Sequence, residues 1–258
     1  TYSKKEIICD KKIALLTIVS LGVCLGKIAY IFIPLLFFIL PKEIFSSRNR
    51  YICVLLLVVI IPILCGAAWG AMSANKIIAD PVGNNVTKIM LSGGSNFQNQ
   101  LEIFIGNPGI FLSKLLLSWI LIGNQLAVQT FAHLGLLDIP LPVLFFVAAY
   151  CVLLLFDGET LQLNRRTKIF VASIFTAIFL LIHLLLYLTY NTPDIPYIMG
   201  VQGRYFIPIL PLLLIALKKS TLQISDRLRL LKISAIILIS LSSLTYSVFA
   251  ILAHDYGL

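Results

Sequence analysis

Charged side chains are scarce in this chain, and acidic ones are the scarcest. Only 12% of the 258 residues are charged, and 11 acidic residues stand against 20 basic ones. No glycine-rich phosphate loop follows a strand pattern, and no His-Glu pair has the spacing of a zinc protease. The motifs by which soluble enzymes are usually recognised are therefore absent.

Cysteines are few as well, and their placement argues against a disulfide framework. They are odd in number, lie in or beside apolar stretches, and show no metal-ligand spacing. We expect no disulfide bond among Cys9, Cys24, Cys53, Cys65 and Cys151.

What the chain does contain is apolar sequence, far more than one soluble core could bury. Hydrophobic residues make up 59% of it, and the mean hydropathy is +0.99, which predicts an all-α integral membrane protein. The net charge of +9 comes from basic residues beside the apolar segments. We therefore expect membrane lipids with anionic head groups as partners, and no nucleic acid.

The apolar runs predict a polytopic helical bundle of about five spans with a short N-terminal helical hairpin. Loops rich in Lys and Arg, at 42–50, 157–168 and 218–232, should be cytoplasmic by the positive-inside rule. The loops 72–138 and 189–203 then lie outside. The runs themselves are 13–40, 51–71, 139–156, 169–188, 206–217 and 233–253.

Lys27 interrupts the first run, 13–40, within the block Gly26-Lys-Ile-Ala-Tyr30. We favour a hairpin with both ends cytoplasmic, because each leg of about 13 residues would reach about 20 Å and leave Lys27 in the outer third of the bilayer. A single tilted span is the alternative, and it would place residues 4–12 outside.

The long outer loop, 72–138, is expected to fold over the membrane. Asn107-Pro108 is a helix start, and the run 109–131 that follows mixes polar and apolar residues at helical spacing. We interpret this run as a helix in the outer interface. A full span here would reverse the later loops and place Arg165 and Arg166 outside.

No internal repeat or low-complexity linker divides the sequence, so we expect one transmembrane domain over residues 1–258. The chain begins with Thr1 and has neither an initiator methionine nor a signal peptide. We therefore expect the C-terminal part of a longer protein. The sequence predicts no oligomeric state.

Arg204 is the most informative side chain. It stands at the mouth of the run 206–217, which as a helix would rise only about 18 Å, so residues 200–205 should also lie in the membrane. Irregular backbone at that depth requires a cavity, and a membrane-embedded cation marks a functional site by default. The guanidinium could clamp a phosphate or carboxylate, with Gln202 and Tyr205 supplying neighbouring hydrogen bonds. A structural ion pair or a snorkelling side chain is the alternative.

Lys27 is the second membrane-embedded cation, and in the hairpin it lies at a depth similar to that of Arg204. Two cations at one height favour a phosphate ligand. Tyr30, three residues on, shares the helical face of Lys27 and could donate to the same ligand. The alternative is a lysine that snorkels from a helix break.

Three further side chains are weaker candidates for the cavity. His183 is expected to be a hydrogen-bonded core histidine, with proton relay or substrate contact as the alternative. Asp138 lies at the outer entry of a span, where it could cap a turn, and Asp194 could be the ion-pair partner of Arg204. No spacing of His, Cys, Asp or Glu predicts a metal site.

Four blocks of sequence stand out together. They are Gly26-Lys-Ile-Ala-Tyr30, Asn107-Pro108, Gly135-Leu-Leu-Asp-Ile-Pro-Leu-Pro and Gly200-Val-Gln-Gly-Arg-Tyr-Phe-Ile-Pro-Ile-Leu-Pro. From residue 15 to residue 217 the chain resembles the bacterial membrane family called domain of unknown function 2142 (DUF2142), most specifically in the last block. That family is similar to the GT-C glycosyltransferases, multi-span enzymes that move a sugar from a polyprenyl-phosphate carrier to an acceptor outside the cytoplasm.

The resemblance implies that Arg204 and Lys27 hold the carrier phosphate and that Gln202, Tyr205 and Tyr30 line the same cavity. It implies a multi-pass protein of the bacterial cytoplasmic membrane whose active side faces outward. The substrates would be a polyprenyl-phosphate-linked sugar and a cell-envelope glycan acceptor, with a divalent cation as the one cofactor to consider. The catalytic carboxylate of GT-C enzymes lies in a first external loop, and this chain is expected to start after it.

Two other functions remain open. A transporter or a flippase for lipid-linked glycans would also use interrupted helices and membrane-embedded charges. A non-catalytic subunit of envelope assembly would need neither a donor site nor a catalytic base.

Overall fold

The computed structural model describes residues 7–79, 97–131, 133–134, 137–138, 163–191 and 195–218, together with positions 234, 237, 238, 241 and 245. Contacts divide the chain into two compact units. Unit 1 contains Thr1–Asn96 and Thr176–Leu185, and unit 2 contains Phe97–Phe175 and Leu186–Leu258. The predicted runs 139–156 and 233–253 lie outside the described residues, apart from the five single positions.

The helices of unit 1 form two apolar segments. The first contains α1 (Asp10–Gly26) and three short 3-10 segments, and the second contains two α-helices on either side of a π-helical turn. In chain order the elements after α1 are 3-10 segments Ile28–Tyr30, Ile33–Ile39 and Lys42–Ile44, then α2 (Arg48–Leu55), the π turn Leu56–Ile60 and α3 (Ile61–Ala79).

The first segment doubles back on itself. Helix α1 ends at Gly26, and Lys27 adopts an extended conformation with φ −159° and ψ 123°. At the other end of the segment, the Ile8 backbone N–H donates to the Ile44 carbonyl over 3.0 Å. Residues 8 and 44 are therefore neighbours, and the chain between them has the outline of a hairpin. The second leg forms 3-10 turns, with Pro34 in the first turn of Ile33–Ile39, where we expected a second α-helical leg.

Close packing of α1 on α3 depends on two glycines one turn apart. A Cβ at Gly66 would lie 2.8 Å from the Cys24 carbonyl oxygen, and a Cβ at Gly70 would lie 2.5 Å from the Ile28 Cδ1 atom. Small residues at this spacing let two helix backbones approach closely inside a membrane, where apolar burial gives helices no reason to associate.

Residues Arg48–Met72 form the first candidate membrane span, 25 residues long. The π turn within it lies just before Pro62, whose ring would clash with the carbonyl four residues earlier in a regular α-helix. The widened turn relieves that clash and lets the helix continue.

Unit 2 contains two further candidate spans, Pro108–Thr130 and Arg165–Tyr190. Its elements are α4 (Phe97–Gly106), α5 (Pro108–Phe131), strands β1 (His133–Leu134) and β2 (Leu137–Asp138), α6 (Arg165–Tyr190), 3-10 turns Gly203–Tyr205 and Ile207–Ile209, and α7 (Leu210–Leu217). Residues 176–185 of α6 are grouped with unit 1. The prediction of a helical protein with membrane spans is confirmed. Among the described residues, the two-residue antiparallel ladder of β1 and β2 departs from an all-α fold.

Helix α5 differs from the interfacial helix that we expected, because it has the length and composition of a span. Two of its polar side chains face the protein interior, since Lys114 is 6% exposed and Ser118 is fully buried. Its outer surface is therefore more apolar than its sequence suggests, and a membrane-spanning α5 would reverse the sides of the later loops.

Helix α7 is shorter than the predicted helix over 206–217. The α-helix begins only at Leu210, with 3-10 turns before it and Pro211 in its first turn. Proline is tolerated there because the first N–H groups of a helix have no intrahelical partner.

Candidate functional site

Arg204 lies in a turn that connects an extended stretch to α7. The turn, Gly203–Tyr205, is one 3-10 segment, and Gln202 before it is extended with φ −126° and ψ 138°. Gly200 has φ +78°, the left-handed region that glycine adopts without strain. The backbone at this site is therefore irregular, as the two glycines predicted.

Gly203 is held directly against the backbone of α5. Its N–H donates to Gln129 Oε1 over 3.0 Å, and its carbonyl accepts from Thr130 Oγ1 over 3.1 Å. A Cβ at this position would overlap the Leu126 carbonyl oxygen and the Thr130 nitrogen. Only glycine fits here, because the two backbones are in contact.

Two more hydrogen bonds hold the stretch before the turn. The Ile198 N–H donates to Ser118 Oγ over 2.7 Å, and the Met199 N–H donates to Asn191 Oδ1 over 3.1 Å. Backbone groups outside regular structure need such partners when water is excluded. Side chains of α5 and of the residue after α6 therefore fix the course of the chain up to Arg204.

The Arg204 side chain itself is exposed, and its guanidinium carbon lies 5.9 Å from the centre of the half-buried Tyr205 ring. Among the described residues, no carboxylate forms an ion pair with Arg204. Asp194, the partner considered from the sequence, lies outside the described residues. The guanidinium fork is thus accessible to an anionic ligand.

Gln202 adds an acceptor beside this cation. The side chain is half-buried, and its Oε1 atom is buried and accepts no hydrogen bond from the described part of the chain. A buried oxygen left without a donor costs about 1–3 kcal/mol. A ligand that offers a hydroxyl at this point would remove that cost.

Lys27 and Tyr30 lie in unit 1, at the break that follows α1, and both are half-buried. Lys27 begins the 3-10 segment Ile28–Tyr30, which separates the two legs of the hairpin. Arg204 belongs to unit 2, and each cation is described within its own unit. That the two converge on one phosphate stays a prediction.

The weaker candidates are placed in different surroundings. His183 is fully buried, with Nδ1 2.8 Å from the Phe179 carbonyl oxygen and its ring 4.4 Å from that of Phe179. This is the packed, hydrogen-bonded histidine that the sequence favoured. The backbone of Asp138 pairs with His133 across the ladder, and β1 contacts the Gly203–Tyr205 turn.

A model of the family described as predicted membrane protein (DUF2142) matches residues 1–213, which include the whole Arg204 turn. The chain belongs to the DUF2142 family. No curated protein and no solved structure gives a significant match.

This DUF2142 chain also contains a buried polar cluster that sequence reasoning missed. Lys114 Nζ lies 5.7 Å from the centre of the buried Tyr187 ring, and Gln100 Nε2 donates to the Asn191 carbonyl over 2.9 Å. Lys114 and Gln100 stand seven residues either side of Asn107, so the α4–α5 turn brings them to one level. The equal spacing about Asn107 is visible in the sequence, but the interfacial helix expected over 109–131 gave no reason for Lys114 to be buried.

The described residues of the DUF2142 chain provide no metal centre. No group of three or more His, Cys, Asp or Glu side chains converges in residues 7–79, 97–131, 163–191 and 195–218. The divalent cation considered from the sequence has no such donor set in these ranges.

Proposed function

We propose that this DUF2142 chain binds the polyprenyl-phosphate-linked sugar of a GT-C-like membrane glycosyltransferase. The observation that carries the proposal is the pair on the Arg204 turn, an accessible guanidinium two residues from a buried oxygen to which no described residue donates. A phosphorylated sugar could interact with both groups, because its phosphate is an anion for Arg204 and its hydroxyls can donate a hydrogen bond to Gln202.

Each side chain then has a defined task in an inverting transfer. The acceptor oxygen attacks the anomeric carbon, and the bond from that carbon to the carrier phosphate oxygen breaks. Arg204 stabilises the negative charge that grows on the departing phosphate. Gln202 orients the sugar, and a carboxylate outside the turn takes the proton of the acceptor hydroxyl.

The rigid attachment of the turn to α5 supports this assignment. Catalytic groups act best when they are positioned before the substrate arrives, because no free energy is then used to order them. The bonds from Gln129 and Thr130 to Gly203 hold the residue immediately before Arg204.

The proposal includes a location and an organisation. The chain acts as one transmembrane domain in a bacterial cytoplasmic membrane, with the Arg204 turn on the outward side and a cell-envelope glycan as acceptor. An outward turn requires α5 to lie in the outer interface, because a membrane-spanning α5 would place Gln129 and Thr130, and with them the turn, on the cytoplasmic side. The Lys- and Arg-rich loop 42–50 supports a cytoplasmic end for Arg48–Met72.

The test is sugar transfer by the full-length protein from labelled polyprenyl-phosphate sugars. Arg204→Ala should lower kcat/KM about a hundredfold, as loss of one transition-state donor does in other enzymes. Arg204→Lys should recover part of the activity, since the charge remains but the fork is lost. Arg165→Ala, at an exposed arginine where α6 begins, is the matched control and should be active.

Two outcomes separate the parts of the proposal. Wild-type protein that transfers sugar from none of the donors would overturn the enzymatic function. An Arg204→Ala variant with wild-type kcat/KM would overturn only the assignment of the site.

A transporter or flippase is the second candidate, favoured by the two interruptions at Lys27 and at residues 198–209. Transporters use such breaks to build substrate sites near the bilayer centre. Counterflow of a lipid-linked glycan in vesicles, without sugar transfer, would decide for it.

A further inference from the structure

The two ends of the N-terminal hairpin bring basic side chains from distant parts of the sequence together. We call residues 8–12 and 42–50 the hairpin clasp. Within the clasp, Arg50 Nη2 donates to the Ile8 carbonyl over 3.0 Å and to Asp10 Oδ1 over 2.5 Å. With the Ile8–Ile44 bond, these contacts tie α1 to the start of α2.

The clasp carries more positive charge than its own acids neutralise. It contains five basic and two acidic side chains, which leaves a net charge of +3. Arg50 is already paired with Asp10. The remaining basic side chains are all exposed: Lys11, Lys12, Lys42 and Arg48.

This charge lies at one end of a candidate membrane span. Arg48 is the first residue of the candidate span Arg48–Met72, so the clasp is at a membrane end of unit 1. Tyr51 stands beside it, with Lys42 Nζ 5.6 Å from its ring centre, and tyrosine favours the head-group level of a bilayer.

An apolar stripe runs along α1 from the clasp. Lys11 is followed on the same helical face by Leu15, Ile18, Gly22 and Leu25, at alternating spacings of four and three. The exposed fractions are 62% for Leu15, 67% for Ile18 and 42% for Leu25, and no atom of the described residues lies within 4 Å of a Cβ built on Gly22. From Leu15 to Leu25 the stripe is about 15 Å long, and Gly22 leaves a shallow notch in it.

We propose that the hairpin clasp and this stripe form a binding site for one anionic phospholipid. The phosphate of the lipid lies among Lys11, Lys12, Lys42 and Arg48, and an acyl chain lies along Leu15, Ile18 and Leu25. Clusters of basic residues at the ends of membrane helices attract anionic lipids with about 1 kcal/mol per cation. A free phosphate would use the cations alone, whereas a phospholipid uses the stripe as well, so the structure favours the lipid. The proposal does not depend on the proposed enzyme function.

The test is native mass spectrometry of the purified full-length protein, titrated with palmitoyl-oleoyl phosphatidylglycerol. Removing two cations, in Lys11→Gln/Lys42→Gln, should weaken the tightest binding event about thirtyfold. The matched control is Arg165→Gln/Arg166→Gln, which removes two exposed cations from the start of α6 and should leave that event unchanged. All four substituted side chains are exposed, and equal melting temperatures without lipid would verify folding.

Two further arms examine the acyl chain and the head group. Ile18→Asn should weaken phosphatidylglycerol binding while both clasp lysines remain, and excess inorganic phosphate should fail to displace the lipid. Displacement by phosphate, or no effect of Ile18→Asn, would overturn the lipid site in favour of a plain anion site. An equal loss in the control and clasp variants, or no loss in the clasp variant, would show that no discrete site exists.

Discussion

The chain interrupts its apolar segments in two ways, and the two breaks are held by different kinds of contact. At Lys27 the bonds are local, since the Lys27 N–H donates to Val23 over 3.4 Å and the Tyr30 N–H donates to Lys27 over 3.0 Å. At Gly203 the partners are Gln129 and Thr130, more than 70 residues away in sequence. These backbone bonds of the first break join residues within four positions of each other, whereas those of the second join the Gly203 turn to α5.

The difference also concerns what a side chain would meet at each break. A Cβ at Gly26 would have no atom of the described part of the chain within 4 Å, whereas a Cβ at Gly203 would overlap the α5 backbone. Glycine thus ends a helix at one position and permits backbone contact at the other. We expect substitutions to affect the second break far more.

The largest effect is expected for Gly203→Ala. The new methyl group cannot be accommodated without moving α5 or the turn, which should cost about 3 kcal/mol or more. Thermal unfolding of the purified protein in detergent measures this loss of stability. Sugar transfer that depends on Arg204 should fall as well. Gly26→Ala is the control, expected within about 1 kcal/mol of wild type. Equal melting temperatures for the two variants would contradict the contact with α5.

A smaller effect is expected for Gln129→Leu, which leaves the Gly203 N–H without its acceptor. The loss should be about 1–3 kcal/mol, the cost of a buried donor without a partner. Hydrogen exchange at the Gly203 amide should speed up in parallel. Gln125→Leu changes an exposed glutamine one turn earlier on α5 and is the control. It should neither lower stability nor speed up exchange at the Gly203 amide. Unchanged exchange at Gly203 in Gln129→Leu would argue against this tether.

The smallest effect is expected at the hairpin clasp, for Asp10→Asn. The Asp10 side chain is 92% exposed, and solvent and salt screen such ion pairs strongly. The melting temperature should change by about 2 °C at most. A larger fall would show that the Arg50–Asp10 pair closes the hairpin, and that the Ile8 bonds alone do not.

The sequence predicted the helical membrane class and the position of both breaks. Low charge and high apolar content leave a chain few alternatives to membrane helices, and the blocks that contain Gly26 and Gly203 mark where the apolar runs are interrupted. The sequence also indicated Arg204 as a candidate site residue, because a cation at the start of a membrane-embedded apolar run is costly and is usually functional. It did not predict the buried Lys114, which stood among polar residues of a presumed interfacial helix.

What the sequence by itself determined is local: where apolar runs begin and end, where glycine and proline interrupt them, and which cation stands at an interruption. Tertiary structure alone decided that Gln129, Thr130 and Ser118 would hold the chain before Arg204, and that Lys114 would be buried. The reason is that α5 has several polar positions, and its helical period makes each of them a candidate for the inner face. Only the packing of α4, α6 and the 195–203 stretch against α5 selects which of these side chains meet a backbone partner.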